Sequence, residues 1–320
     1  MIKLCKGIIM FKNKEYVLTV FKEGSFTKAA EKLFVSQPSL SASVKRIEDK
    51  IGAPLFDRSS TPITLTEIGR EYVQYAQEIE HKENDFAHFV SDHTNLLKGK
   101  IRIGGSSFFS SFVLPKMISE FNKKHPKINF KIFEDSTKNL MNKLSSGELD
   151  IIIDNAVADN DNMISEVYTE ERLLLAVPKR LAVNESLKDV RMTADDIKAN
   201  KHIAVGNSVE LTAFKKEPFI LLHHENDTGK RAEKLFKKYS ITPNVIFHLD
   251  QQVTAYNVSC TGMGISFVSD TLIKHIDASA DIYYYKLPDN STIRNIYFYS
   301  KKNHYQPLSC RKFIEYNTKK

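Results

Sequence analysis

The chain has 320 residues, 42% of them hydrophobic and 27% charged, with a formal net charge of +7. That length suits two or three compact units, each able to bury a core without metal or disulfide staples, and the composition excludes collagen-like, disordered and disulfide-scaffold classes. The longest apolar runs, Ile151-Ile152-Ile153 and Leu173-Leu174-Leu175-Ala176-Val177, fall far short of the ~20 residues a membrane span needs.

The first ten residues carry no small-residue cleavage site, which predicts a cytoplasmic protein that no membrane holds. Cys5, Cys260 and Cys310 are odd in number and scattered, against a disulfide framework or metal site, and read as structural thiols, with redox sensing at Cys260 the alternative. Residues 1–65 hold 11 lysines and arginines against 6 acids, and residues 66–98 hold 3 against 7. A basic head suits a phosphate backbone, although any lysine-rich solvated face looks similar.

From Phe11, the apolar positions Phe11, Tyr16, Val17, Val20 and Phe21 predict an amphipathic helix that Gly24 ends. Ser25 and Thr27 offer caps for a short helix through residue 33, where small Ala30 admits a neighbouring helix. Ser36 then caps a third helix with Pro38 in its first turn and Leu40, Val44, Ile47 and Ile51 along one face. Gly52 and Pro54 close that helix, and residues 55–58 and 63–65, joined through Pro62, predict a short two-stranded wing. This outline matches a helix-turn-helix, whose second helix enters the major groove. On periodicity alone, a generic helical packing unit matches it as well.

Particular residues narrow that choice. The run Gly24-Ser25-Phe26-Thr27-Lys28-Ala29-Ala30-Glu31-Lys32-Leu33, then Val35-Ser36-Gln37-Pro38-Ser39-Leu40-Ser41, Ile47-Glu48, Gly52-Ala53-Pro54-Leu55-Phe56-Asp57-Arg58 and Leu65-Thr66-Glu67-Ile68-Gly69 resembles the LysR-type transcriptional regulators of bacteria. The resemblance implies a recognition helix with Gln37, Pro38 and Ser41 facing the groove and Arg58 near the phosphates beside the wing. Ser36 and Ser39 of the same turn complete the expected DNA-binding set with Lys45 and Arg46. Glutamine can read adenine bidentately, while serine and arginine hold phosphate oxygens. The sequence departs from the family where Ala42 and Ser43 follow Ser41 and where Pro62 stands at the wing tip, so backbone contacts from Lys45, Arg46 and Arg58 and DNA deformability are expected to carry much of the binding. Lys45 and Arg46 also read as ordinary solvated charges. Family members begin close to the first helix, so Met1 to Ile9 reads as an extension or a mis-set start ahead of Met10.

Thr66 can cap a helix running to about Lys98, since no proline falls between Pro62 and Pro115. Ile68, Tyr72, Tyr75, Ile79, Lys82, Phe86, Phe89, His93 and Leu96 alternate by four and three along it, a seam that predicts a partner helix and a homodimer. Lys82 and His93 fix the register or mark where the helix leaves its partner. The resemblance supports the dimer and adds a homotetramer.

Beyond Lys100, strands at 101–103, 128–133 and 149–153 alternate with helices at 112–124 and 138–146, a βαβαβ series whose ligands belong at the carboxyl ends of the strands. Gly104-Gly105-Ser106-Ser107, Asp135-Ser136-Thr137 and Asp154-Asn155 stand there. They cap helices or, with the free N–H groups of helix starts, hold a small organic anion. A second series has strands at 173–177, 202–205, 219–222, 245–248 and 265–268 and a helix opening at Asn226-Asp227-Thr228-Gly229. Strands at 282–285 and 296–300 return to the first lobe, ahead of a last helix at 308–316. Leu149-Asp150-Ile151, Val177-Pro178 and Gly262-Met263-Gly264-Ile265 resemble the family's effector domain, which implies an effector held by Ser106, Ser107, Ser136, Thr137, Val205 and Thr228. Gly262 and Gly264 serve a tight turn.

The whole reads as an α/β multidomain protein: a winged helix-turn-helix (1–65), a long linker and dimerisation helix (66–98), and a two-lobed α/β periplasmic-binding-protein-like effector domain (99–320). Its lobe I spans about 99–170 and 271–320, and lobe II about 171–270. Expected partners are double-stranded DNA, a small-molecule effector and a second copy of the chain, with no cofactor. A two-lobed solute-binding protein explains the lobes but not the head. An enzyme lacks a constellation, because Gly104-Gly105 and Gly262-Met263-Gly264 complete no phosphate-binding motif, His223-His224 lacks metal-ligand spacing, and no nucleophile elbow occurs.

Overall fold

The computed structural model describes residues 10–59, 62–93, 99–155, 162–204, 206, 208–302 and 304–318. Met1 to Ile9, Cys5, Leu96 and Val205 lie outside the described residues. The chain divides into two compact units, one running to Val90 and the other starting at Ser91.

In the first unit, α1 (Lys14–Glu23) ends at Gly24, which takes the left-handed conformation at φ +60°. The Ser25 hydroxyl caps α2 (Phe26–Lys32) by accepting from the Lys28 N–H, and Ser36 caps α3 (Gln37–Ile51) in the same way. The wing is β1 (Phe56–Asp57) antiparallel to β2 (Thr64–Leu65), with Phe56 opposite Leu65. Val17, Val20, Ala29, Leu40, Val44 and Leu55 form the core. Onto it packs α4 (Glu67–His93) through Tyr72, Val73 and Ala76. The Thr66 hydroxyl accepts from the Gly69 N–H at 2.9 Å to start α4.

That packing splits the expected seam. Tyr72 belongs to the core instead: its ring stacks on Phe11 at 4.9 Å and its hydroxyl donates to the Met10 carbonyl. Ile68, Tyr75, Phe86, Phe89 and Val90 stay exposed, as does Lys82. A stripe along one helix covers only a limited arc, and α4 carries two, one for its own core and one facing outward.

The second unit opens with β3 (Gly99–Gly105), a π-helical turn (Phe109–Val113) and α5 (Leu114–Lys124). Then follow β4 (Ile128–Glu134), α6 (Thr137–Ser145), β5 (Ile151–Asp154) and β6 (Met163–Pro178). Two short helices, α7 (Val183–Ser186) and α8 (Ala194–Lys198), precede β7 (Pro218–Leu222), α9 (Asp227–Lys238) and β8 (Asn244–Leu249). The chain closes with α10 (Gln252–Cys260), β9 (Ile265–Ser269), α11 (Asp270–His275), β10 (Ile282–Lys286), β11 (Ile293–Lys301) and α12 (Leu308–Thr318).

These strands make two lobes that share β6. The first half of β6 pairs with β11, which pairs with β5, and β3 lies parallel between β5 and β4. Its second half pairs with β10 on one side and β9 on the other, and β7 then runs parallel to β9 and β8. The change falls between Arg172, paired with Ile293, and Leu173, paired with Ser269. Along the second half, successive residues face opposite cores: Leu174 and Ala176 join one cluster, and Leu175 and Val177 the other. Among the described residues no helix is long and apolar enough to cross a membrane.

Three expectations change. The strand expected at 202–205 begins as a 3-10 turn, Lys201–Ile203, following Asn200 at φ +60°. The strand at 282–285 does not return to the first lobe but pairs with residues 174–178 of β6 in the second, so β11 makes the return. The crossing strand extends ten residues upstream of Leu173, through an acidic stretch that is mostly solvent-facing, Glu171 excepted, and shows no apolar run.

Candidate nucleic-acid interface and effector cleft

The third helix turns its apolar side inward, burying Leu40, Val44 and Ile47, and leaves Gln37, Pro38 and Ser39 exposed at its first turn. Ser41 is half-buried. The Ser36 hydroxyl accepts from the Ser39 N–H at 3.4 Å, so this pair shapes the helix start, where uncompensated N–H groups and the positive end of the helix dipole suit a phosphate. Pro38 fits because that turn needs no N–H from it. Lys45 and Arg46 are exposed further along, but Arg46 bends onto its own helix, donating to the Ala42 carbonyl at 3.3 Å and the Ser43 hydroxyl at 3.0 Å.

Arg58 is held beside α3. Its Nη2 donates to Glu48 Oε2 at 3.0 Å, and the guanidinium lies 5.0 Å from the centre of the Phe26 ring. The other Glu48 oxygen accepts the N–H groups of Leu55 at 2.8 Å and Phe56 at 3.4 Å. Glu48 therefore ties helix to wing, an organising role that sequence reasoning did not assign. Its signal was a carboxylate near the carboxyl end of a helix, where the dipole disfavours negative charge unless a partner waits.

In the second unit, Gly105 pairs with Glu134 on one side and Ile153 on the other, which brings residues 106–107, 135–137 and 154–155 to one edge of the sheet. Ser136 caps α6, accepting from the Asn139 N–H. Thr137 donates to the buried Asp154 carboxylate at 2.8 Å. Among the described residues the half-buried Ser106 and Ser107 hydroxyls make no hydrogen bond. From the second lobe, Thr228 stands at the start of α9, where Asn226 accepts its N–H.

A chain of bonds links the two sets across the crossover. Asn155 donates to Glu171 Oε1 at 3.0 Å, the same oxygen accepts Arg294 Nε at 2.7 Å, and Arg294 Nη1 donates to Thr228 Oγ1 at 3.0 Å and Asp227 Oδ2 at 2.7 Å. The Arg294 and Glu171 side chains are 2% and 1% exposed. Burial alone would raise the Asp227 pKa, but Arg294 and Arg231 overcome it and hold the carboxyl below its ordinary value. Sequence reasoning missed Glu171 and Arg294 because they stand 123 residues apart and meet only in the β6–β11 register. Val205 lies outside the described residues; of the expected effector residues this chain of bonds reaches Thr228, while Thr137 bonds Asp154, the neighbour of Asn155 in sequence.

The family model described as bacterial regulatory helix-turn-helix protein, lysR family, matches residues 11–70, and that described as LysR substrate binding domain matches residues 94–319. The chain belongs to the LysR family. It is a DNA-binding transcriptional regulator with an effector-binding domain. Among curated LysR-type relatives, the uncharacterised HTH-type regulator YcgK of Bacillus subtilis is 24% identical over 94% of this chain and 91% of its own. A probable RuBisCO transcriptional regulator of Gracilaria tenuistipitata is 27% identical over 87% of this chain and 85% of its own. Two solved structures share the fold. A full-length OxyR variant from Pseudomonas aeruginosa has a TM-score of 0.72 at 20% identity, over 98% of this chain and 95% of that one. Full-length CbnR, solved with its target DNA, has a TM-score of 0.62 at 17% identity, over 97% and 98%.

Within this LysR-type chain the described cysteines act as packing. Burial pushes both thiols up, Cys310 well above its ordinary value, which works against the thiolate that redox chemistry needs. The glycines of the 262–264 turn are there for space: Gly262 sits at φ +89°, and a side chain on Gly264 would come within 2.8 Å of the Pro218 carbonyl.

Proposed function

We propose that this regulator reads its operator with the first turns of α3, through Gln37 and Ser41, with Ser36, Pro38 and Ser39 shaping the contact and Lys45, Arg46 and Arg58 on the phosphates. The observation that carries this is the two-sidedness of α3: an apolar side built into the core and a polar amino-terminal turn left open. Arg46 is folded onto its own helix and Arg58 is engaged by Glu48, so both would reach phosphates by exchanging one partner for another. The resulting cost favours sites whose backbone comes closest, which is readout through DNA shape.

The domain organisation that suits this reading is a head over 1–65, a linker helix over 66–98 and an effector domain over 99–320. The exposed apolar residues of α4 support a homodimer, two of which would make the homotetramer. The effector would lie between the strand ends of the two lobes, its polar group meeting Ser106 and Ser107, with Ser136, Thr137, Val205 and Thr228 around it. Free hydroxyls beside helix starts favour a small organic anion. A DNA partner places the protein in the cytoplasm, and its output is binding rather than catalysis.

The test is binding to DNA from its own upstream region, titrated over salt, for wild type beside the Gln37→Ala, Ser41→Ala double variant. Specific binding should fall at least tenfold in the double variant while the slope of affinity against salt stays the same. An Arg58→Ala variant should lower that slope by about one phosphate contact. Equal specificity in wild type and the double variant would remove α3 as the reader.

A further inference from the structure

At the outer edge of the second lobe, two strand ends bring three metal-ligating side chains onto one face. β8 is the last strand of its sheet and runs parallel to β7, with Leu221 opposite His248 and Leu222 opposite Leu249. His223 continues that ladder, its N–H donating to the Leu249 carbonyl at 3.0 Å. Residues two apart on a strand share a face, so His248 and Asp250 flank His223 on one side. The His223 and His248 rings stand 5.7 Å apart, centre to centre, and His223 Nε2 lies 4.0 Å from Asp250 Oδ1. His223-His224 has no ligand spacing in sequence; the second imidazole and the carboxylate arrive only through the register of β7 with β8.

These side chains are otherwise unengaged. His223 and Asp250 are 48% and 86% exposed, and His248 is exposed as well. Beyond the contact between His223 and Asp250, none of the three side chains has a polar partner among the described residues. His224 pairs instead with Glu225 at 3.3 Å. A nitrogen bound to zinc at about 2 Å puts its ring centre roughly 3 Å from the ion, so rings 5.7 Å apart can share one. Tetrahedral ligand atoms stand about 3.3 Å from one another, which leaves the His223 and Asp250 contact under about 1 Å to close. Among the described residues no three such donors already surround one point; the exposed rings and carboxylate complete the site by turning about their side-chain bonds.

We propose that His223, His248 and Asp250 form a site for a divalent transition-metal ion of the zinc class. Two imidazoles and a carboxylate suit zinc, with water in the fourth position, whereas magnesium and calcium take oxygen ligands. The ion fastens two helix starts. His223 lies three residues before Asn226, which caps α9, and Asp250 lies two before the first residue of α10. The Gln252 amide already donates to Thr228 Oγ1 at 3.4 Å, so an ion between the two loops steadies the part of the lobe that presents Thr228. The site stands on its own donors and does not depend on an effector meeting Thr228.

Isothermal titration calorimetry of the untagged full chain with zinc chloride tests this, with magnesium chloride as the control. The expected result is saturable zinc binding by wild type, at least tenfold weaker in His223→Ala and in His248→Ala, at least threefold weaker in Asp250→Asn, and within twofold of wild type in His224→Ala. Circular dichroism checks that each variant is folded. No saturable zinc binding by wild type overturns the proposal, as does binding that both His223→Ala and His248→Ala retain. Loss in His224→Ala as large as in His223→Ala would overturn the donor set in favour of the neighbouring His224 and Glu225 pair. Magnesium bound as tightly as zinc would overturn the ion class.

Discussion

At Gly69 and Asp270 single atoms set the outcome. A Cβ on Gly69 would stand 1.9 Å from the Leu55 carbonyl oxygen. Alanine gains about 1 kcal/mol of helix propensity there, whereas overpacking costs roughly 1–3 kcal/mol and occasionally more. With backbone on the receiving side the clash wins, so Gly69→Ala should lower the urea midpoint of the head. Asp270 shows the opposite balance. Burial pushes its pKa up, but bonds from His202 at 2.9 Å, the Arg172 N–H and Lys274 hold it down to about 2. The folded carboxyl thus binds its proton less readily than an ordinary one near 3.9. Its contribution is full above about pH 4 and is lost as pH falls toward 2, on the order of 2 kcal/mol. Asp270→Asn should cost stability at neutral pH and flatten that acid limb in a pH series of denaturant melts. Gly69 was visible in the sequence as part of a family motif. The reason for it was not, because Leu55 reaches it only through the packing of α4 on the wing.

The elements of the head were legible nearly to the residue, since each has its own local punctuation: Gly24 and Gly52 at helix ends, Ser25 and Ser36 at helix starts, Pro38 in a first turn. The long helix was legible as a helix but not in its division of labour. Tyr72 entered the seam by spacing and left it for the core, because the nearest apolar surface is the head's own. Of the outward-facing apolar residues, Ile68, Tyr75 and Phe86 remain for a partner. Phe86 is the most exposed of these at 67%. Phe86→Asp should therefore weaken self-association by at least tenfold in sedimentation equilibrium, with heads that remain folded. Unchanged association would remove α4 from the interface. In the effector lobes, the first half of β6 was missed for the complementary reason: its pairing to β11 comes from backbone hydrogen bonds that need no apolar side chains.

For the whole molecule, the crossover concentrates the largest electrostatic stake. Breaking a buried ion pair by removing one partner costs roughly 3–5 kcal/mol, while replacing the whole pair by apolar groups is often neutral. Arg294→Met should accordingly destabilise the effector domain strongly in guanidinium melts, and Glu171→Met placed beside it should recover part of the loss. No recovery would mean that Asp227, left without its second guanidinium, dominates. By itself the sequence determined the kind of protein: the periodicity and caps of the head, the alternation of strands and helices, and the hydroxyls at strand ends are local signals, written within a few residues of where they act. Only the tertiary structure decided which strand carries the chain back, which face of α4 is spent on the core, and that Glu171, Asp227 and Arg294 meet. Those outcomes depend on contacts between distant segments, 62 residues apart for Tyr72 and Met10, 67 for Asp227 and Arg294 and 123 for Glu171 and Arg294, where local sequence pattern leaves no trace.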